Sequence, residues 1–135
     1  MANAAVIQTL QDGPRWLIVK GTLILDTSDL VETLVADPLT AFVDPTGATT
    51  RNFEIVRATW SCQGSLAIRF QWKATTNAEA LVCAGADHQD FEKKGGAIYN
   101  NAGAGKNGQL VMITNGWVTI TAMNASFELK LRKVL

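Results

Sequence analysis

This sequence predicts an all-β fold, an antiparallel β-sandwich or β-barrel of about seven or eight strands. Three observations carry that expectation. Leu66-Ala67-Ile68-Arg69-Phe70-Gln71-Trp72-Lys73 alternates apolar and polar residues once Ala67 counts as neutral, and side chains of a strand point alternately to opposite faces. Turn signals separate the candidate strands, at Asp12-Gly13-Pro14, Asp37-Pro38, Asp44-Pro45-Thr46-Gly47, Thr75-Thr76-Asn77 and Asn115-Gly116. No stretch shows a convincing long helical period.

The strongest element is Phe53 to Lys73. Phe53-Glu54-Ile55-Val56-Arg57-Ala58-Thr59-Trp60 is rich in β-branched and aromatic residues, which suit a pleated, half-buried surface. Cys62-Gln63-Gly64-Ser65 separates it from the alternating run, and Gly64 can supply the positive φ of a tight turn. The expectation is a β-hairpin with Leu66, Ile68, Phe70 and Trp72 on the buried face.

The remaining elements follow in order. Ala4 to Leu10 is a short apolar segment, either a first strand or an N-terminal arm, within residues 1–13, laid on a neighbour. Arg15 to Asp26 is a long strand with Leu17, Val19, Leu23 and Leu25 on one face. Its other face carries Trp16, Ile18 and Ile24 beside Lys20 and Thr22. A strand apolar on both faces is covered on both sides, by a loop or by another subunit. Gly21 is a candidate bulge or bend. Asp26 to Ala36 reads equally as a short helix capped by Thr27 or Ser28, with Leu30, Val31, Leu34 and Val35 at helical spacing, or as a strand. Ala80 to Ala84 is a short buried strand. Gly85 to Gly108 is one long Gly-rich loop, of a length that is usually functional. Gln109 to Thr114, Asn115-Gly116 and Trp117 to Ala122 read as a second hairpin. Phe127, Leu129 and Leu131 alternate with charged residues in a last strand.

The totals bound the rest. A chain of 135 residues is expected to form one domain, residues 1–135, with a core large enough to need no staples. Charged residues are 18% of it, against roughly 25% in ordinary domains, so part of the surface is expected to be covered by other subunits. A net charge of zero argues against nucleic-acid binding through phosphate neutralisation. The pair Cys62 and Cys83 makes no disulfide framework and reads as buried free thiols. No basic n-region precedes an apolar stretch at the start, and no apolar run approaches the roughly 20 residues of a membrane helix. A soluble product made in a cytoplasm is expected, with no membrane partner.

His88 is the single histidine; with Asp87 and Asp90 it forms a polar cluster lacking any recognised metal-ligand spacing. Nucleophilic catalysis would have to use that histidine, and no Gly-x-Ser-x-Gly elbow is present. Gly103-Ala104-Gly105-Lys106-Asn107-Gly108 lacks the upstream glycine and the Ser/Thr after lysine of a phosphate loop. No enzyme, cofactor or metal is expected. Trp117, directly after a turn, is a candidate exposed stacking platform, with core burial the blander alternative.

The outline as a whole resembles small virion proteins of tailed bacteriophages, in particular capsid decoration (cement) proteins. The resemblance rests on Ala4 to Leu10, the strand pair containing Phe70-Gln71-Trp72, the Gly/Ala/Asn-rich Gly95 to Gly108, and the closing Phe127-Glu128-Leu129-Lys130-Leu131-Arg132-Lys133. It implies a β-rich homo-oligomer, a trimer, on the outer surface of a phage head. There the protein would clamp neighbouring major capsid protein subunits and stabilise the shell. Exposure logic places its contacts on Val6, Ile7 and Leu10, on Trp16 and Ile18, and secondarily around Asp87, His88, Tyr99 and Lys106. A receptor- or carbohydrate-binding β-sandwich of a virion, and a tail or head-completion protein, are the alternatives.

Overall fold

Alternating sequences bury one face per strand, and here two such sets of strands close on each other. In the computed structural model, which describes residues 3–41, 49–118 and 122–134, the described residues form nine strands and no helix. They are β1 (Ala4–Asp12), β2 (Trp16–Leu25), β3 (Thr33–Ala36), β4 (Asn52–Cys62), β5 (Ala67–Trp72), β6 (Ala78–Ala84), β7 (Ala86–Asp90), β8 (Leu110–Asn115) and β9 (Met123–Val134). A five-stranded sheet runs in the order β1-β2-β9-β4-β7 and a four-stranded sheet in the order β3-β8-β5-β6. Every pairing is antiparallel. This is a β-sandwich, as the alternation predicted.

The core lies between the two inner faces. Leu17, Val19, Leu23 and Leu25 of β2, Phe53, Ile55 and Trp60 of β4, and Phe127, Leu129 and Leu131 of β9 meet Leu66, Ile68, Phe70 and Trp72 around β5 and Leu110 and Met112 of β8. Burying each such side chain contributes about 1.5–3 kcal/mol. Phe70 and Phe127 bridge the sheets edge-to-face, with ring centroids 5.0 Å apart. Trp72 is fully buried, and its indole N–H has no hydrogen-bond partner among the described residues.

Several expectations are corrected. Phe53–Trp60 and Leu66–Lys73 are consecutive but not paired: β4 and β5 lie in different sheets. Gly64 does adopt a positive φ of 58°, yet the turn it makes carries the chain from one sheet across to the other. Two apolar faces can meet across a core as well as side by side, and alternation does not distinguish the two. The second hairpin fails similarly. β8 pairs with β3 and β5, no strand is seen at Trp117, Val118 or Ala122, and residues 119–121 lie outside the described residues. Gly116, at φ 88°, is required because a Cβ there would overlap the Ser65 carbonyl. The Asp44-Pro45-Thr46-Gly47 turn also lies outside the described residues.

Asp26–Ala36 is not helical. Only Thr33–Ala36 is a strand. Val31 and Leu34, counted toward the helical face, are 77% and 46% exposed. Side-chain caps hold the rest in irregular form: Thr114 Oγ1 accepts from Leu30 N at 2.7 Å, and Asp29 accepts from Thr114 Oγ1 and Trp117 N, both at 3.1 Å. Gly21 is no bulge; it pairs in register with Phe127, whose ring occupies the space a Cβ would need. The register shift of this region falls instead on β1, between Thr9 and Gln11.

The stretch from Gly85 is not all loop. Its beginning forms β7, which pairs with β4 from Arg57↔Asp90 to Ser61↔Ala86. The following residues dock on a bulge of β4: Val56 is the extra residue, is fully buried, and accepts at its carbonyl from Phe91 N (2.9 Å) and Glu92 N (3.2 Å). Ile98 then bridges Ile55.

Candidate interaction surface

The inner face of the five-stranded sheet is core, so its outer face and edges are what the chain offers to others. Register sets which side chains stand together there. Gln8, Lys20, Glu128, Thr59 and His88 form one row across all five strands. Val6, Thr22, Ser126, Ser61 and Ala86 form the next. On the other side of the polar row stand Gln11, Ile18, Lys130, Arg57 and Asp90, and then Trp16, Arg132 and Glu54.

Three features shape this face. The small side chains Thr22, Ser61 and Ser126, with Ile24, Gln63 and Asn124 beside them, leave a shallow trough of about 470 Å³. Val6, 63% exposed, and Ile24, 45% exposed, make an apolar ridge on the β1–β2 side. At the far end, Lys130 Nζ lies 4.3 Å from the Trp16 ring centroid, a cation–π placement, and Arg132 is ion-paired with Glu54.

The residues singled out from sequence are only partly brought together. Val6, Trp16 and Ile18 share the outer face. Ile7 points inward and is half-buried against the core. Leu10 sits at the β1 register shift and is 48% exposed. His88 is on the same face as Val6 but at the opposite edge, four strands away; its Nδ1 is 2.6 Å from Thr59 Oγ1. Asp87 is spent locally, accepting from His88 N and Gln89 Nε2. Tyr99, 60% exposed, follows the Ile98 bridge to β4. Lys106 lies in a turn held on Thr75, whose N–H donates to the Ala104 carbonyl at 3.1 Å. The Asp87–His88–Tyr99–Lys106 group is therefore not one site.

Chemically, the face offers hydroxyl, amide and paired charged groups over a floor of small side chains. Among the described residues, no three His, Cys, Asp or Glu side chains converge in a way that could hold a metal ion. Trp117 is half-buried, with its indole N–H donating to the Leu25 carbonyl at 3.0 Å. Burial pushes the Cys83 thiol up to about 12 and raises Cys62 as well; both are free cysteines in the interior.

Sequence reasoning missed Lys20 and Glu128 as a facing pair and missed β7 altogether. The five β7 residues, Ala86–Asp90, are neither apolar nor alternating, so no periodic signal was there to find.

The fold and surface together define an antiparallel β-sandwich with a mixed outer face and, among the described residues, a long, almost uncharged β1 edge without a strand partner on its outer side. The sequence matches no family model and no curated protein.

Proposed function

We propose that this chain is a non-catalytic structural protein of a bacteriophage particle, a capsid decoration protein that binds the outer surface of the head and bridges major capsid subunits. The observation that carries the reading is the β1 edge. Its outer side has no strand partner among the described residues. From Ala4 through Gln11 it carries no charged residue and no proline, and Val6 and Leu10 are exposed on it. Sheet edges are normally blunted by lysine, proline or short length. An edge left bare is suited to accept a strand from a partner, with main-chain hydrogen bonds giving affinity and alternate side chains giving specificity. The charge-poor composition and the resemblance of the chain support the same reading.

Cryo-electron microscopy of native particles containing the chain tests it. Density for this sandwich is expected over junctions between major capsid subunits, with β1 against the shell. Density confined to the tail sinks the proposal. The pair of changes Val6→Lys and Leu10→Lys is expected to empty those positions while leaving the fold intact.

A receptor-binding role is favoured by one observation, the 60% exposure of Tyr99, since an exposed aromatic ring can stack on a sugar. A glycan array that gives hits lost in Tyr99→Ala would move the assignment to that reading.

A further inference from the structure

We infer that the outer face of the five-stranded sheet is a self-docking surface, pairing two copies of this chain about a two-fold axis that runs along the strands between β2 and β9. The reason lies in the register. An axis parallel to the strands keeps each cross-sheet row opposite itself and reverses its order. Between β2 and β9 it sets Lys20 against Glu128 of the second copy, and Glu128 against its Lys20. Ile18 then meets Lys130, Trp16 meets Arg132, and Gln11 meets Arg57. No like charges face each other.

Three neighbouring placements are disfavoured by charge. An axis through β2 sets Lys20 against Lys20. An axis through β9 sets Glu128, Lys130 and Arg132 each against itself, and one between β9 and β4 sets Lys130 against Arg57. Juxtaposed like charges disfavour a docked pair strongly.

Shape agrees with charge. The same axis carries Val6 of one copy over Ser61 of the other and Ile24 over Asn124, so the exposed ridge enters the trough of about 470 Å³ that Thr22, Ser61, Asn124 and Ser126 leave open. The overlap covers four strands, about 19 Å across at ~4.8 Å each, and about 26 Å along β2 at ~3.3 Å per residue. That is roughly 500 Å² of flat face per copy, toward the low end of specific interfaces and suited to a reversible dimer.

The inference does not depend on the capsid reading, and its two-fold symmetry differs from the trimer the resemblance implies. Sedimentation velocity over a wide range of protein concentration tests it. A monomer–dimer equilibrium is expected. Lys20→Glu and Glu128→Lys should each weaken the dimer at least about tenfold, and the double exchange should restore it. Lys20 and Glu128 are both exposed, so far-UV circular dichroism should show an unchanged sheet in each variant. A monomer throughout, a trimer, or a folded double exchange as weak as the single changes would overturn the assignment. Dimerisation without shell binding would instead sink the capsid reading and leave this face standing.

Discussion

β1 and β7 are the two edges of one sheet, and they are finished in opposite ways. β7 has five residues, among them Asp87, His88 and Asp90, and it follows β6 through the single residue Gly85. That crossover is fastened to β4: Cys62 N donates to the Gly85 carbonyl at 2.7 Å, and Trp60 Nε1 donates to the Ala84 carbonyl at 2.9 Å. β1 has nine residues, with Asp12 its sole charged one, and most of its side chains are exposed. Besides its pairing with β2, side-chain contacts fasten its ends. Asn3 Oδ1 accepts from Asp26 N and Thr27 N, and the buried Lys133 ammonium donates to Asp12 and to the Gly13 carbonyl. Short, charged and covered edges resist pairing with other chains, whereas long uncharged ones invite it. Under the proposed reading, recognition falls on the β1 side and structural closure on the β7 side.

The largest effect should come from breaking the closed side. Trp60→Ala removes a buried ring together with the donor that fixes the β6–β7 crossover, and urea unfolding should register a loss of about 3–5 kcal/mol. If the loss is below about 1 kcal/mol, the crossover does not depend on that anchor.

Gly21→Val probes the middle of the sheet beside β1. The new side chain would collide with the Phe127 ring, which lies where its Cβ must go and also touches Phe70. Overpacking of this kind costs about 1–3 kcal/mol, again read by urea unfolding.

The closed side should also show an alkaline weakness. Cys83 on β6 is raised from an ordinary 9.0 to about 12 because burial disfavours the thiolate. The unfolded chain therefore releases this proton before the folded one does. Its contribution is fully present below pH 9 and is lost as pH rises toward 12. Thermal unfolding followed from about pH 8 to 11 should fall more steeply for the native chain than for Cys83→Ala. Parallel slopes would refute the assignment.

The smallest effect on stability should come from the open side. Val6→Lys is a change at a 63% exposed position and should alter unfolding free energy by no more than about 0.5 kcal/mol. Association, measured by sedimentation, should nonetheless weaken. A variant that unfolds readily but associates normally would invert the comparison between the edges.

Local pattern alone determined which residues face inward. Leu17, Val19, Leu23 and Leu25, the row from Leu66 to Trp72, and Phe127, Leu129 and Leu131 are all core residues, because side-chain alternation is a property of the strand itself. Gly64 was legible as a positive-φ turn for the same reason. Sheet membership was not legible. β4 and β5 look like a hairpin in sequence, yet they are split between the two sheets, since an apolar face is buried equally well beside its neighbour or opposite it. β7 gave no signal because its five polar and small residues owe their strand to pairing with β4.

The interaction surface divides along the same line. Val6, Leu10, Trp16 and Ile18 could be named from exposed apolar character. That His88 stands four strands from Val6, that Asp87 points away from it, and that Lys20 stands beside Glu128 on the outer face are consequences of register and strand order. Those depend on contacts between residues distant in the chain, which no local window of sequence contains.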